Sequence, residues 1–219
     1  MTFAHGERRR RQIQGALVNP YPRLQRWPLD SRTTSGRGKR SRVCWTDERA
    51  SLTEMSGVTI RPATGSDIPS LRRLYDEFHA FHARHLPDRL LIPAEKEPNT
   101  EFEDAIDKIL ANNDATLLVA QEGDEVVGFA EIYIHSEDRR PWALPRRYGH
   151  LQSLGVTQRM RRRGVGGLLL QAAERWAVGK DAGEIRTDVW EFGEGPLGFY
   201  ERAGYMTLRR TLVRPVSPN

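Results

Sequence analysis

Cysteine is nearly absent from this chain of 219 residues. Cys44 stands alone, which excludes a disulfide framework and a cysteine-built metal cluster. His5, His79, His82, His85, His135 and His150 show no ligand spacing, so no metal is expected, and the helical recurrence of His79, His82 and His85 reads as a partly solvated helix face. Long apolar runs are lacking too. None approaches the ~18 residues of a spanning helix and the N-terminus has no signal-peptide core, so we expect a cytoplasmic protein with no membrane partner. No internal repeat is visible.

The body of the chain also lacks any excess of positive charge, although the net charge is +5. Twelve of the 34 Lys and Arg residues lie in residues 1–54 against five acidic ones, so the basicity belongs to the tail. That tail holds Arg8 to Arg11, Pro20, Pro22, Pro28 and a Ser/Thr/Gly/Arg stretch from Ser31 to Arg42. Without a sustained hydrophobic period it is expected to be a disordered basic extension. Its meaning stays open among three readings: an arm for nucleic acid or a membrane surface, a solvated extension with no partner, or upstream sequence absent from the native protein. The last arises because Met55-Ser56-Gly57-Val58 directly precedes the first strand, as a natural start would. Residues 55–219 then form one domain, long enough to bury a full core.

Within that domain, Val58 to Arg61 reads as an edge strand ended by Pro62. Ser66 or Asp67 caps a helix with Pro69 in its first turn and a stripe of Ile68, Leu71, Leu74, Tyr75, Phe78 and Phe81. Thr100 with Glu103 forms a capping-box pattern for a second helix that buries Phe102, Ile106, Ile109 and Leu110. Ala115 to Gln121 and Val126 to Ile134 are β-rich runs joined across Gly123, a hairpin of an antiparallel sheet. His135 to Arg147 is read as a charged loop. Tyr148 to Val156 is a fourth strand, with Tyr148, His150, Gln152 and Leu154 sharing a face by simple alternation. Leu168, Leu169, Ala172, Ala173, Trp176 and Ala177 stripe the next helix, Ile185 to Trp190 is a fifth strand, a short helix carries Phe199 and Tyr200, and Tyr205 to Val213 supplies the last strand or strands.

The chemistry concentrates in Leu151 to Leu170, where a strand runs through an arginine-loaded turn with close glycines into a helix. The first turn of a helix has N–H groups with no internal partner and about half a positive charge, so this order makes an anion site. A phosphorylated ligand is expected at Arg161 to Gly167. A nucleoside-triphosphate loop is excluded, since Gly166 is followed by Gly167 and Leu168 rather than Lys and a hydroxyl residue. A dinucleotide fingerprint fits poorly because Leu169 stands where a small residue is needed.

Arg161-Arg162-Arg163-Gly164-Val165-Gly166 does match Arg/Gln-x-x-Gly-x-Gly/Ala after a strand, and here the chain resembles the GCN5-related N-acetyltransferase (GNAT) superfamily. Phe199-Tyr200-Glu201-Arg202-Ala203-Gly204-Tyr205 resembles that family's second landmark, and the likeness extends over about Val58 to Leu212. The resemblance implies a mixed α/β fold with a mostly antiparallel twisted sheet, flanking helices, and splayed parallel fourth and fifth strands. It implies acetyl-CoA as acyl donor, its pantetheine arm beside Leu154, Gly155 and Val156 and its pyrophosphate on Arg161, Arg162, Arg163, Gly164, Val165, Gly166 and Gly167. Tyr200 matches the family's general acid. The general base is open: the fourth strand offers His150 instead of the usual carboxylate, with Glu131 and Glu191 as alternatives. Gly193 replaces the family's asparagine seven residues before the tyrosine. The implied activity is direct acetyl transfer to a primary amine of a small molecule or protein, with a catalytically degenerate acyl-CoA-binding sensor as the alternative. The family also allows a homodimer.

Overall fold

The computed structural model describes residues 57–92, 100–193 and 195–216. The expectations for residues 1–54, the start at Met55 and Cys44 lie outside the described residues. Five strands form one sheet in the order β1 (Val58–Pro62), β2 (Ala115–Glu122), β3 (Glu125–Glu137), β4 (Arg146–Val156), β5 (Glu184–Thr187). Neighbours are antiparallel except β4 and β5, which run parallel. The fold is therefore the expected mixed α/β sheet flanked by helices.

Chain order explains the pairing. Two-residue connection through Gly123 (φ 58°) closes β2 onto β3 as a hairpin, while β4 reaches β5 only through α3 (Val165–Gly179), as a parallel crossover requires. One face of the sheet packs on α3, with Ile132, Leu151, Leu169 and Ala173 at its buried centre. The other face packs on α1 (Ile68–His85) and α2 (Thr100–Leu110) through Leu71, Leu74, Phe102, Ile106 and Phe129. Burying both faces makes the middle strands β2 and β3 almost continuously apolar rather than alternating.

Several local expectations shift. Asp67 is the N-cap residue of α1, as one of the two expected candidates, and ahead of it Thr64 caps a short 3-10 turn: the Asp67 carboxylate accepts the Thr64 backbone N–H (2.8 Å) and hydroxyl (3.0 Å). Arg61 donates twice to the same carboxylate, at 2.8 Å each. Leu110 is 36% exposed, at the end of α2 where the apolar face runs out. β3 and β4 extend into the expected loop, to Glu137 and from Arg146, because His135, Ser136 and Glu137 pair with Tyr148, Arg147 and Arg146. β5 stops at Thr187, short of Trp190.

Two differences bear on function. β4 is bulged: Glu131 faces Ser153 but Ile132 faces Leu151, so Gln152 is an extra residue and alternation reverses there. Leu154 and Val156 consequently join the α3-side core, opposite to the face of Tyr148 and His150. Beyond α4 (Leu197–Arg202), the expected closing strand does not form; Tyr205 to Val216 is irregular, with Met206, Leu208 and Leu212 exposed. That stretch interleaves its apolar residues with Arg209, Arg210 and Arg214, and β5 stays an edge strand.

Candidate active site

The parallel pairing of β4 with β5 covers Tyr148 to Leu151 against Glu184 to Thr187 and then ends. β4 continues for five more residues, still paired to β3, with no strand on its other side among the described residues. A gap opens there. Thr157 N–H donates to Val127 on β3 (2.9 Å), so by the alternation of an antiparallel ladder the main-chain groups of Leu154 and Val156 point away from β3 and into the gap, while those of Gly155 point toward β3. Gly155 is glycine for a packing reason: a Cβ would lie 2.5 Å from the Phe129 ring.

The gap leads to the arginine turn. Arg162 (φ 62°) and Gly164 (φ 83°) both adopt left-handed backbone, and Gly164 caps α3. Turns that alternate in this way aim main-chain N–H groups to one side and make an anion-binding concavity. Space around it is open where a ligand would need it: a Cβ on Gly164 or Gly167 would meet nothing within 4 Å. Gly166 is closer to its surroundings, with the Phe199 ring 3.4 Å from a Cβ there, so α4 lies against the first turn of α3. Val165 is buried at the root of the helix.

The three arginines separate by what they touch. Arg162 and Arg163 are exposed, the latter with its guanidinium 3.9 Å from the Met160 sulfur. Arg161 turns inward, donating to the Val156 carbonyl (3.1 Å) and the Glu77 carboxylate (3.2 Å) and covering the Phe81 ring at 4.9 Å. Its own N–H donates to Gln158 O at 3.3 Å.

Tyr200 and His150 approach the end of β5 from opposite faces. Tyr200, 8% exposed, belongs to the α3-side core beside Phe199 and Tyr205, and interacts with Thr187. Burial pushes its phenol above the ordinary tyrosine range, the Thr187 hydrogen bond acting the other way, so the group holds its proton through neutral pH. His150 sits on the α1 side, its Nε2 3.3 Å from the Asp188 carboxylate, one residue past Thr187. An acid and a base candidate thus flank the last paired residues of β4 and β5. Glu131, the alternative base, is buried and accepts from Tyr75 (2.7 Å) and Tyr133 (2.6 Å). Burial first and then the adjacent Glu131 carboxylate raise both phenols. Glu191 is exposed in the loop after β5.

That same loop sets Phe192 against α1, stacking on His85 at 4.7 Å and reaching Phe81 at 5.9 Å. Burial lowers the His82 imidazole, favouring its neutral form in this aromatic wall. Sequence reasoning missed Asp188 and Glu77. Neither belongs to a motif, and each acquires its place only through strand pairing or helix docking. No group of His, Cys, Asp and Glu able to hold a metal ion occurs among the described residues. No helix among them is long and apolar enough to cross a membrane.

Solved structures share this architecture. A mutant of the BH1408 protein of Bacillus halodurans superposes with a TM-score of 0.66 at 22% identity over 72% of this chain and 99% of its own. An aminoglycoside acetyltransferase from an uncultured soil metagenomic sample gives 0.54 at 17% identity, over 75% and 99%. Glucosamine-6-phosphate N-acetyltransferase from Arabidopsis thaliana gives 0.53 at 15%, over 73% and 99%. At such identities the likeness establishes the fold alone. No curated protein matches the sequence. The model of the acetyltransferase (GNAT) family matches residues 71–205, from α1 through the first residues after α4. Since that match spans more than half of the chain, the protein belongs to the acetyltransferase (GNAT) family.

Proposed function

We propose that this acetyltransferase is an acetyl-CoA-dependent N-acetyltransferase acting on a primary amine of a small molecule or protein by direct transfer. The observation that carries this reading is the parting of β4 from β5 beside an open, left-handed glycine turn at the start of α3. The residues present fit the coenzyme. Leu154, through its N–H and carbonyl, and Val156, through its N–H, offer main-chain groups that an amide-bearing arm can pair with like an added strand. The N–H groups at the start of α3, Val165 to Gly167, with the turn formed by Arg162, Arg163 and Gly164, suit a pyrophosphate. Arg161 contributes to that turn from its root, through the Val156 carbonyl. Gly155 supports the arm by letting β4 lie close to Phe129.

When bound, acetyl-CoA supplies an activated thioester acetyl group. The chain supplies the proton transfers. A lysine-like amine is mostly protonated at neutral pH and must lose a proton to attack, and the departing sulfur must gain one. Tyr200, kept protonated by burial, is the acid. His150, oriented by Asp188, is the base, directly or through a water. No nucleophile for a covalent intermediate is needed, in keeping with direct transfer.

The test is calorimetric titration of acetyl-CoA into the full chain and into Gly164→Glu, followed by turnover with a panel of amines. Binding lost in the variant and acetylation of one amine class are expected. A folded wild type that ignores acetyl-CoA would refute the reading. Binding without turnover on any amine would favour the degenerate sensor, for which Gly193 and the lack of a carboxylate on β4 are the supporting observations.

A further inference from the structure

Glu77, midway along α1, accepts hydrogen bonds from three groups of one short segment: Gln158 N–H (2.7 Å), Thr157 Oγ1 (3.0 Å) and Arg161 Nη2 (3.2 Å). These donors follow it in the chain by 81, 80 and 84 residues. Their position is informative. Thr157 N–H makes the last bond of β4 to β3, and Gln158 N–H is the next donor after the chain leaves the sheet. Glu77 takes it. Two residues later Met160 is anchored in the core at 2% exposure. The root of the arginine turn is therefore clamped between an apolar anchor and one carboxylate, before the backbone enters its left-handed conformations at Arg162 and Gly164.

We infer that Glu77 is a positioning residue for the coenzyme turn, an inference that rests on the acyl-CoA reading. A carboxylate so near a pyrophosphate site would repel the ligand unless its charge were balanced. Arg161 balances it, by ion pair and while stacked on Phe81, so the arginine serves the turn from behind rather than from the ligand side. Carboxylate and guanidinium act as a unit: either alone leaves an unpaired charge behind the turn. The same unit fastens the turn to α1, whose next residues carry the aromatic wall that meets Phe192.

The experiment titrates coenzyme A into full-length wild type, Glu77→Ala, Glu77→Gln, Arg161→Ala and the Glu77→Ala/Arg161→Ala double variant, with thermal melting of each unliganded protein alongside. Glu77→Ala is expected to weaken binding on the order of tenfold. Glu77→Gln, which keeps an oxygen for the Gln158 N–H, recovers part of that loss. The double variant binds no more weakly than the weaker single one, as for residues acting together. A Glu77→Ala protein that melts lower yet binds coenzyme A like wild type would overturn the inference, because a tie that is merely structural lowers stability and spares affinity. Additive losses in the double variant would overturn the coupled unit as well. If Glu77→Ala fails to fold, Thr157→Val and Arg161→Ala carry the test: several-fold weaker binding supports it and unchanged binding refutes it. Failure of the wild type itself to bind removes the acyl-CoA reading, and the inference with it, before any variant is compared.

Discussion

At the scale of single residues, the account depends on two side chains meeting the parting strands from opposite faces. Tyr200→Phe removes only a hydroxyl that lies in a buried, aromatic setting. It is expected to lower kcat by about 10²-fold or more while leaving acetyl-CoA affinity unchanged. His150→Ala is expected to lower kcat comparably and Asp188→Asn by less, since the latter keeps the imidazole and removes only the charge of its orienting partner. Steady-state turnover with the best amine of the panel, beside acetyl-CoA titration, checks all three. An equal loss of kcat and coenzyme affinity in Tyr200→Phe would make that tyrosine a packing residue instead. Tyr200 and the turn from Arg161 to Gly167 are legible in the sequence because each sits in a short motif whose meaning is local. Asp188 is not. It meets His150 only because β5 lies beside β4 in one particular register, which a separation of 38 positions does not disclose.

At the scale of elements, the entry to α1 illustrates how side chains set backbone. Asp67 closes the capping turn and pairs with Arg61, and the Arg61 hydrogen bond, more than the Thr64 donors, holds its carboxyl down at about 2. Because the folded value lies below the ordinary aspartate range near ~3.9, the ionised group stabilises the fold above that range. This contribution is lost as pH falls through about 2. Asp67→Asn is expected to cost about 1 kcal/mol at neutral pH, with the difference from wild type shrinking toward pH ~2; urea melts across that range measure both. A constant difference at all pH values would mean that the charge is irrelevant to the cap. Helices and hairpin were legible as periodicity, since apolar spacing reports burial directly. The bulge at Gln152 was not: a single extra residue has no compositional signal, yet it reverses which side Leu154 and Val156 face. The absent closing strand shows the opposite failure. Met206, Leu208 and Leu212 have strand-like chemistry, but without pairing partners that propensity builds nothing.

At the scale of the whole molecule, the sheet carries a gap where β5 leaves β4, and the loop after β5 meets α1 through the Phe192 ring. α1 is tied to both places, by Glu77 to Arg161 at the turn and by Phe81 and His85 to Phe192. The order of the glycine motif and the aromatic-Tyr-Glu motif along the chain was enough to anticipate the family and the fold. The proposed acceptor side was not legible, since it would draw on α1, β3, β4 and the loop after β5, and no spacing encodes which of their side chains converge. The central claim is that the coenzyme lies in the strand gap with its pyrophosphate on the start of α3. Amide hydrogen exchange of the full chain with and without acetyl-CoA tests it most directly. The account predicts slowed exchange at Leu154, Val156 and Arg163 to Gly167, with β1 and α2 unchanged. Protection centred elsewhere, or none at saturating acetyl-CoA, would contradict it.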